Sequence, residues 1–254
     1  MTELRVSDRF NALDSDVTIR SSDGVVFRLH RKNLHLHSDA FPSQEEGEIV
    51  DLTESSDVLE IFFQYFYRQP QPDLTNIRMH TLLALSEAVE KYRVFSAIEV
   101  CKAHMRARMS SDPLAVLAYA AKHGYVDICN DVAPLTIGAS TMDAINALGS
   151  STTFAAWALY RDRRVEATTR IHDLLPSTIV KHKGGWDDCE KWWQFQAEIS
   201  RYLLGHPERL LDIDEAFSRY EDLLEECDHC QKRAANWRGK SALEVRSSFR
   251  GRFA

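Results

Sequence analysis

Three cysteines in the last third of the chain have the residue type and spacing of a partial metal site. Cys227 and Cys230 form a Cys-x-x-Cys pair, and Cys189 lies on the predicted helix before them. Two thiolates at this spacing form half of a structural zinc site, and an antiparallel helix pair could place Cys189 opposite. The candidates for a fourth ligand are His182, His206 and His229.

The other half of a zinc motif is missing, so we expect ordinary reduced cysteines and no cofactor, with structural zinc as the alternative. A redox function of the Cys-x-x-Cys pair is disfavoured because no thioredoxin-like βαβ pattern surrounds it. The total of five cysteines is odd, and they are scattered over a long chain. We therefore expect reduced thiols and no disulfide framework.

Three histidines near the N-terminus also have side chains that can bind a metal ion: His30, His35 and His37. Residues at i and i+2 lie roughly 200° apart around a helix, so His35 and His37 cannot both face one ion there. We expect no metal at this place. His30 is predicted to form hydrogen bonds where a strand passes into a helix.

The sequence contains none of the motifs by which common catalytic sites are recognised. There is no Gly-rich phosphate loop, no G-x-S-x-G, no H-E-x-x-H, and no paired carboxylates in a known frame. We therefore predict no catalytic residues and a protein that is not an enzyme. A small-molecule or enzymatic site in the helical half is the alternative.

The first 109 residues are predicted to mix strands and helices. Residues 16–20 and 25–29 are β-rich and flank the turn sequence SSDG, which predicts a hairpin, and 49–52 is a third short strand. Elsewhere the hydrophobic period is 3.6 residues. The predicted helices are 31–41, 55–67, 77–91 and 95–109.

Beyond Met109 only helices are predicted. Asp112-Pro113 is a helix start, Gly124 a helix end, and Ser140-x-x-Asp143 a capping pattern. The other predicted helices are 125–133, 152–164, 187–204, 208–227 and, more weakly, 231–247. Aromatic residues at helical spacing are predicted to form the core of this region, with a peptide-binding groove as the alternative. They are Trp186, Trp192, Trp193, Phe195 and Tyr202.

Composition and charge narrow the class of protein. The chain of 254 residues is 44% hydrophobic and 27% charged, with a net charge of −7, which opposes general binding to nucleic acid. The N-terminal residues MTELRVSDRF lack the apolar run of a signal peptide, and no stretch is apolar enough for a membrane span. We expect a cytoplasmic or nuclear protein without membrane contact.

Charge is distributed unevenly near the C-terminus. Residues 212–228 contain eight acids against Arg219, and residues 231–254 contain seven basic residues against Glu244. Two helical segments of opposite charge that attract each other are the expected arrangement.

The stretch SDVTIRSSDGVVFRLHRKNLHLHSDAF resembles the opening of BTB/POZ domains, in which an Asp-hydrophobic strand and a turn precede Phe-x-x-His, a basic residue, Leu and Ser-x-x-Phe. The matching residues here are Asp16, Val17, Phe27, His30, Arg31, Leu34, Ser38 and Phe41. IVDLTESSDVLEIFFQYFYRQ and LLALSEAVEKYRVFSAIEVCKAHM resemble the later strand, helix and final helical hairpin of that family.

The resemblance implies an α+β fold in three parts. Residues 1–13 are an N-terminal extension, 14–109 a BTB/POZ-like domain of three short strands plus helices, and 110–254 an all-helical region. The last part is similar to the helical extension of many fungal BTB proteins. The fold class follows from the resemblance together with the predicted elements.

BTB domains are platforms that self-associate, bind cullin scaffolds of ubiquitin ligases or recruit transcriptional co-repressors. The resemblance thus implies an adaptor or scaffold with protein partners, and it implies partner-binding roles for Asp16, Arg31 and Phe41. Asp16 and Arg31 match a charged pair that lines a pocket in BTB dimers; a purely structural role is the alternative.

Two departures from the family pattern weaken the cullin and homodimer expectations. The segment PSQEEGE after Phe41 is short and polar, which predicts a truncated cullin-contact helix. Before Asp16 only Val6, Phe10 and Leu13 recur at helical spacing. This stripe predicts a brief helix, shorter than the one used in swapped dimers.

Overall fold

The computed structural model describes residues 5–41, 48–175, 189–249 and 253. The chain divides into two compact units, Met1–Arg108 and Met109–Ala254. The described residues combine a four-stranded sheet with many helices, which confirms the expected mixed α+β class.

The sheet of the N-terminal unit has four strands in the order β1-β3-β2-β4. Strands β2 and β3 form the predicted antiparallel hairpin, and Gly24 in its turn has a φ of 82°, a conformation that glycine adopts without a side-chain clash. Strand β4 pairs in parallel with β2, and β1 pairs in parallel with β3. The strands are β1 (Val6–Asn11), β2 (Val17–Arg20), β3 (Val26–Leu29) and β4 (Ile49–Asp51).

The prediction of a helix from Val6, Phe10 and Leu13 was wrong, because this segment contains strand β1. The pairing of β1 with β3 changes register between Val6 and Asn11, so the side chains do not alternate regularly. As a result Ser7 and Phe10, three residues apart, are both buried. Leu13 lies beyond the end of the strand and is 96% exposed, so the predicted apolar stripe does not form one buried face.

Four α-helices complete the described part of this unit, and a short 3-10 helix, Phe63–Phe66, continues the second one. Helix α1 ends at His37 and not at the predicted position 41, because Ser38 has an extended backbone and its hydroxyl donates a hydrogen bond to the Tyr92 carbonyl. The helices are α1 (Arg31–His37), α2 (Ser56–Phe62), α3 (Met79–Lys91) and α4 (Phe95–Ala107).

Aromatic side chains fill the space between the sheet and these helices. Phe27 of β3 contacts Phe63, with ring centroids 5.3 Å apart in an edge-to-face arrangement. Phe62 packs against Phe66 at 5.0 Å and against Tyr92 at 5.4 Å. Such rings bury a large apolar area, so they account for much of the stability of the unit.

Every regular element among the described residues of the C-terminal unit is a helix. Gly124 ends α5 with a φ of 73°, and the Ser140 hydroxyl accepts the Asp143 N–H at 3.1 Å, as the two predicted caps require. The α-helices are α5 (Pro113–His123), α6 (Val126–Val132), α7 (Thr141–Leu148), α8 (Ser151–Asp173), α9 (Glu190–Leu203), α10 (Ile213–Ser218) and α11 (Asp228–Phe249). No helix in the described ranges is long and apolar enough to cross a membrane.

The prediction of one long helix over 208–227 was wrong. Two 3-10 helices, Pro207–Asp212 and Glu221–Leu224, flank the short α10. The Asp212 carboxylate accepts the N–H of Glu215 and so starts a new helix within the segment. The weakly predicted helix near 231–247 is instead the long element, α11, which spans 22 residues.

The core of the C-terminal unit is aromatic, as the sequence predicts. Trp192 and Phe195 of α9 are buried beside Trp237 of α11, whose Nε1–H donates to the Ile171 carbonyl at 2.8 Å. Trp193 is rotated away from this face and is 50% exposed. Tyr202 is partly buried against the same core, and Trp186 lies outside the described residues.

Candidate partner-binding surface and cysteine cluster

Asp16 and Arg31 lie together in the N-terminal unit. The Asp16 carboxylate accepts a hydrogen bond from the backbone N–H of Arg31 at 2.6 Å. Arg31 is the first residue of α1, where N–H groups have no acceptor within the helix. An anionic group is favoured at this end of a helix dipole, so Asp16 stabilises the start of α1 while its side chain stays at the surface.

His30 forms hydrogen bonds at the junction of β3 and α1, as the sequence predicts. Its backbone N–H donates to the Tyr67 hydroxyl at 3.2 Å, and its Nδ1 lies 3.1 Å from the same oxygen. Its Nε2 lies 3.2 Å from a carboxylate oxygen of Asp14. The hydrogen bond from His30 holds the pKa of Asp14 below its ordinary value.

Phe41 belongs to the core of its unit. Its side chain is only 8% exposed and packs against Tyr92, with ring centroids 5.2 Å apart, and against Phe66 at 6.2 Å. In this position Phe41 offers little area to a partner. Residues 42–47, which include most of PSQEEGE, lie outside the described residues.

Sequence reasoning missed a cationic depression of about 670 Å³ beside α1. Three exposed arginines, from β1, β3 and the segment after the Phe63–Phe66 helix, line it against one acid, Asp8, together with Asn33 of α1. The arginines are Arg9, Arg28 and Arg68. These arginines are far apart in sequence, and the parallel pairing of β1 with β3 brings Arg9 and Arg28 into one region. Because the segment that contains Arg9 was predicted to be helical, the sequence did not reveal this grouping of arginines.

A second open depression, of about 770 Å³, lies in the C-terminal unit. Its wall combines apolar residues such as Leu114 and Leu135 with the acids Asp112, Asp143 and Glu208. Gly138 also lines it and lies so close to Glu208 that an added Cβ would meet a carboxylate oxygen of Glu208 at 2.9 Å. Because three acids line this depression, it is acidic, in contrast to the one beside α1.

The three cysteines predicted as an alternative zinc site come together in the C-terminal unit. Their Sγ atoms all lie within 4.8 Å of one another. Cys189 immediately precedes α9, Cys227 immediately precedes α11, and Cys230 lies in the first turn of α11. Cys230 is buried and the other two are half-buried, and all five cysteines of the chain are thiols.

The two candidate fourth ligands that the structure describes do not complete this group. Within the described ranges, neither His206 nor His229 belongs to the set of ligand atoms within 4.8 Å. The Nδ1 of His206 instead lies 2.9 Å from a Glu208 carboxylate oxygen. His182 lies outside the described residues.

The environments of the thiols differ. Burial raises the pKa of Cys101 and of Cys129 to about 11. Burial also opposes ionisation of Cys227, yet hydrogen bonds from the Cys230 N–H and from neighbouring groups outweigh it and lower the Cys227 pKa. Burial raises the pKa of Cys230. Of this pair, Cys227 is therefore the thiol that ionises first.

Comparison with known proteins adds no family to these observations. No family model matches the chain, and no curated protein matches it.

Proposed function

We propose that the protein is a non-catalytic adaptor or scaffold whose N-terminal unit is a BTB/POZ-like domain that binds another protein. The order of elements supports this proposal. A hairpin, a short helix, a strand and three further helices follow one another in the order that the resemblance implies, although β1 adds a fourth strand to the three expected.

The observation that carries the proposal is the surface at the start of α1. Asp16 and Arg31 meet there, and the cationic depression lies beside it, because its wall includes Asn33 of α1 and Tyr67, which is hydrogen-bonded to His30. We use the name α1 surface for the following residues: Asp16, Arg31, Asn33, Tyr67, Arg9, Arg28 and Arg68. Polar and charged groups from several elements thus converge on one exposed area.

The α1 surface favours an acidic protein segment as its partner. Guanidinium groups bind carboxylates through two parallel hydrogen bonds, and arginine is enriched among the residues that dominate binding energy. A cullin scaffold, a co-repressor and a second copy of the chain are the partner classes of the family. The proposal requires that one of them binds through the α1 surface.

Affinity purification of the tagged full-length protein, with mass spectrometry of what it retains, tests the proposal. The test variant is Arg31→Ala, which keeps the backbone N–H that Asp16 accepts and so keeps the start of α1. The matched control is Arg78→Ala, an exposed arginine elsewhere on the same unit. We expect Arg31→Ala to weaken partner binding about tenfold, or about 1.4 kcal/mol, and the control to have no effect.

Light scattering on the same samples separates self-association from binding of another protein. If no protein is retained in stoichiometric amount and the chain is a monomer, the adaptor proposal fails. It also fails if both variants retain the partner equally well.

The acidic depression of the C-terminal unit favours a second candidate function, binding of a small cationic molecule between α5, α7 and the Pro207–Asp212 helix. Ligand binding to the native state alone raises its thermal stability. A library of cationic metabolites that raises the melting temperature of the wild type, and not of Asp143→Asn, would support this function. No shift with any compound would reject it.

A further inference from the structure

We propose that Cys189, Cys227 and Cys230 of the C-terminal unit bind one zinc ion. The starts of two helices that are separated along the chain bring the three sulfur atoms together, and these atoms lie within 4.8 Å of one another. Thiolate sulfur is a principal ligand of zinc in structural sites, and it suits soft metals far better than magnesium or calcium. The site is independent of the proposed adaptor function.

The spacing of the sulfur atoms fits zinc after a small adjustment. A Zn–S distance of about 2.3 Å in a tetrahedral site places the sulfur atoms roughly 3.8 Å apart. Starting from a separation of at most 4.8 Å, each sulfur has to move by roughly half an ångström. Small rotations of the cysteine side chains about their Cα–Cβ bonds supply this movement.

The cluster lies where two helices begin. Cys189 immediately precedes α9 and Cys227 immediately precedes α11. An ion pair between Lys191 and Glu226 joins the same two chain segments next to the cysteines. The geometry that brings the sulfur atoms together is therefore supported by a second contact.

Three protein ligands leave one of the four positions of zinc to another donor. Cys189 and Cys227 are only half-buried, so a water molecule can reach the open side of the cluster. Cys227, immediately before α11, and Cys230, in its first turn, lie three residues apart along the chain and supply two of the positions.

Zinc at this place would join the start of α9 to the start of α11. These two helices also meet through Trp192 and Trp237, with ring centroids 6.2 Å apart. Because metal binding to the native state adds to folding free energy, zinc would stabilise the C-terminal unit. The ion is thus expected to act as a structural link and not as a catalyst.

The test measures zinc in the full-length protein purified without chelator, by inductively coupled plasma mass spectrometry. The main variant is Cys189→Ser, because serine is a favourable residue at the helix N-cap that Cys189 occupies, so α9 should keep its start. The control is Cys129→Ala, which removes a buried thiol of the same unit outside the cluster. Cobalt added to the metal-free protein reports sulfur ligation through its charge-transfer absorption.

We expect about one zinc ion per chain in the wild type and in Cys129→Ala. Cys189→Ser should bind zinc at least about 100-fold more weakly, since even loss of an outer partner of a metal ligand costs 10–100-fold. A chelator should lower the melting temperature of the wild type and of Cys129→Ala, but not that of Cys189→Ser. The proposal is overturned if the wild type binds neither zinc nor cobalt, if Cys189→Ser binds zinc as the wild type does, or if a disulfide within the cluster is found in the purified protein.

Discussion

Single side chains connect distant parts of the N-terminal unit, and Asp23 is an example. It belongs to the SSDG turn of the β2–β3 hairpin, yet its carboxylate accepts both the backbone N–H of Ser56 at 2.7 Å and the Ser56 hydroxyl at 2.6 Å. Ser56 is the first residue of α2, so a residue 33 positions away acts as the cap of that helix. The hydrogen bond from the Ser56 side chain is the largest cause that lowers the pKa of Asp23 to about 2.

Asp23→Ala is expected to reduce the free energy of unfolding by about 1 kcal/mol, the usual contribution of a helix cap. The unfolded carboxyl has a pKa of 3.8 and the folded one about 2, so the stabilisation is complete above about pH 4 and is lost as the pH falls towards 2. Urea titrations at pH 7 and pH 2.5 measure this difference. The exposed Asp39→Ala should change stability little, and an equal loss in both variants would refute the capping role.

At the scale of elements, strand β1 differs most from its sequence prediction. Phe10 packs against Phe27, Phe63 and Tyr67, with ring centroids 6.3, 5.8 and 5.7 Å away. Leu13, which the helical pattern placed on the same face as Phe10, is at the surface. The two arrangements therefore assign opposite roles to Leu13, and mutation distinguishes them.

Phe10→Ala should lower the free energy of unfolding by about 3 kcal/mol, because it removes a ring from the core and leaves a cavity. Leu13→Ala should change it by less than about 0.5 kcal/mol, because its side chain is exposed. Thermal or chemical denaturation followed by circular dichroism measures both. A similar, large effect of the two substitutions would favour the helical arrangement.

Helices α10 and α11 bear out the charge pattern of the C-terminal region. Arg238 of α11 lies 2.5 Å from a carboxylate oxygen of Asp214 in α10, which joins the acidic segment to the basic one. Exposed ion pairs of this kind contribute little stability each. The pairing of these two helices therefore depends mainly on the apolar contact between Phe217 and Trp237, whose ring centroids are 4.9 Å apart.

At the scale of the whole molecule, each of the two units has its own aromatic core. The N-terminal core is built around Phe27 and Phe62, and the C-terminal core around Trp192 and Trp237. A unit with its own core is expected to fold without the rest of the chain.

A fragment of residues 1–109 should therefore be folded and should unfold in one cooperative thermal transition. Differential scanning calorimetry of the fragment, with the full-length protein as the reference, measures that transition. A fragment that lacks a cooperative transition, or that is retained only as an aggregate, would show that the N-terminal unit needs the helical region.

Elements whose signals are local could be predicted from the sequence. The β2–β3 hairpin follows from the SSDG turn, and α5 and α7 follow from Pro113, Gly124 and Ser140 at their ends. These signals act within a few residues, so one chain segment contains the whole physical cause.

Tertiary structure alone decided the features that depend on distant pairing. The bulged pairing of β1 with β3 turned a helical pattern into a strand and brought Arg9 and Arg28 to the same depression. The meeting of α9 with α11 placed Cys189 beside Cys227 and Cys230, which the Cys-x-x-Cys spacing could suggest but not establish. In both cases the packing of whole elements, and not a local preference, sets the distance between the groups that carry the proposed functions.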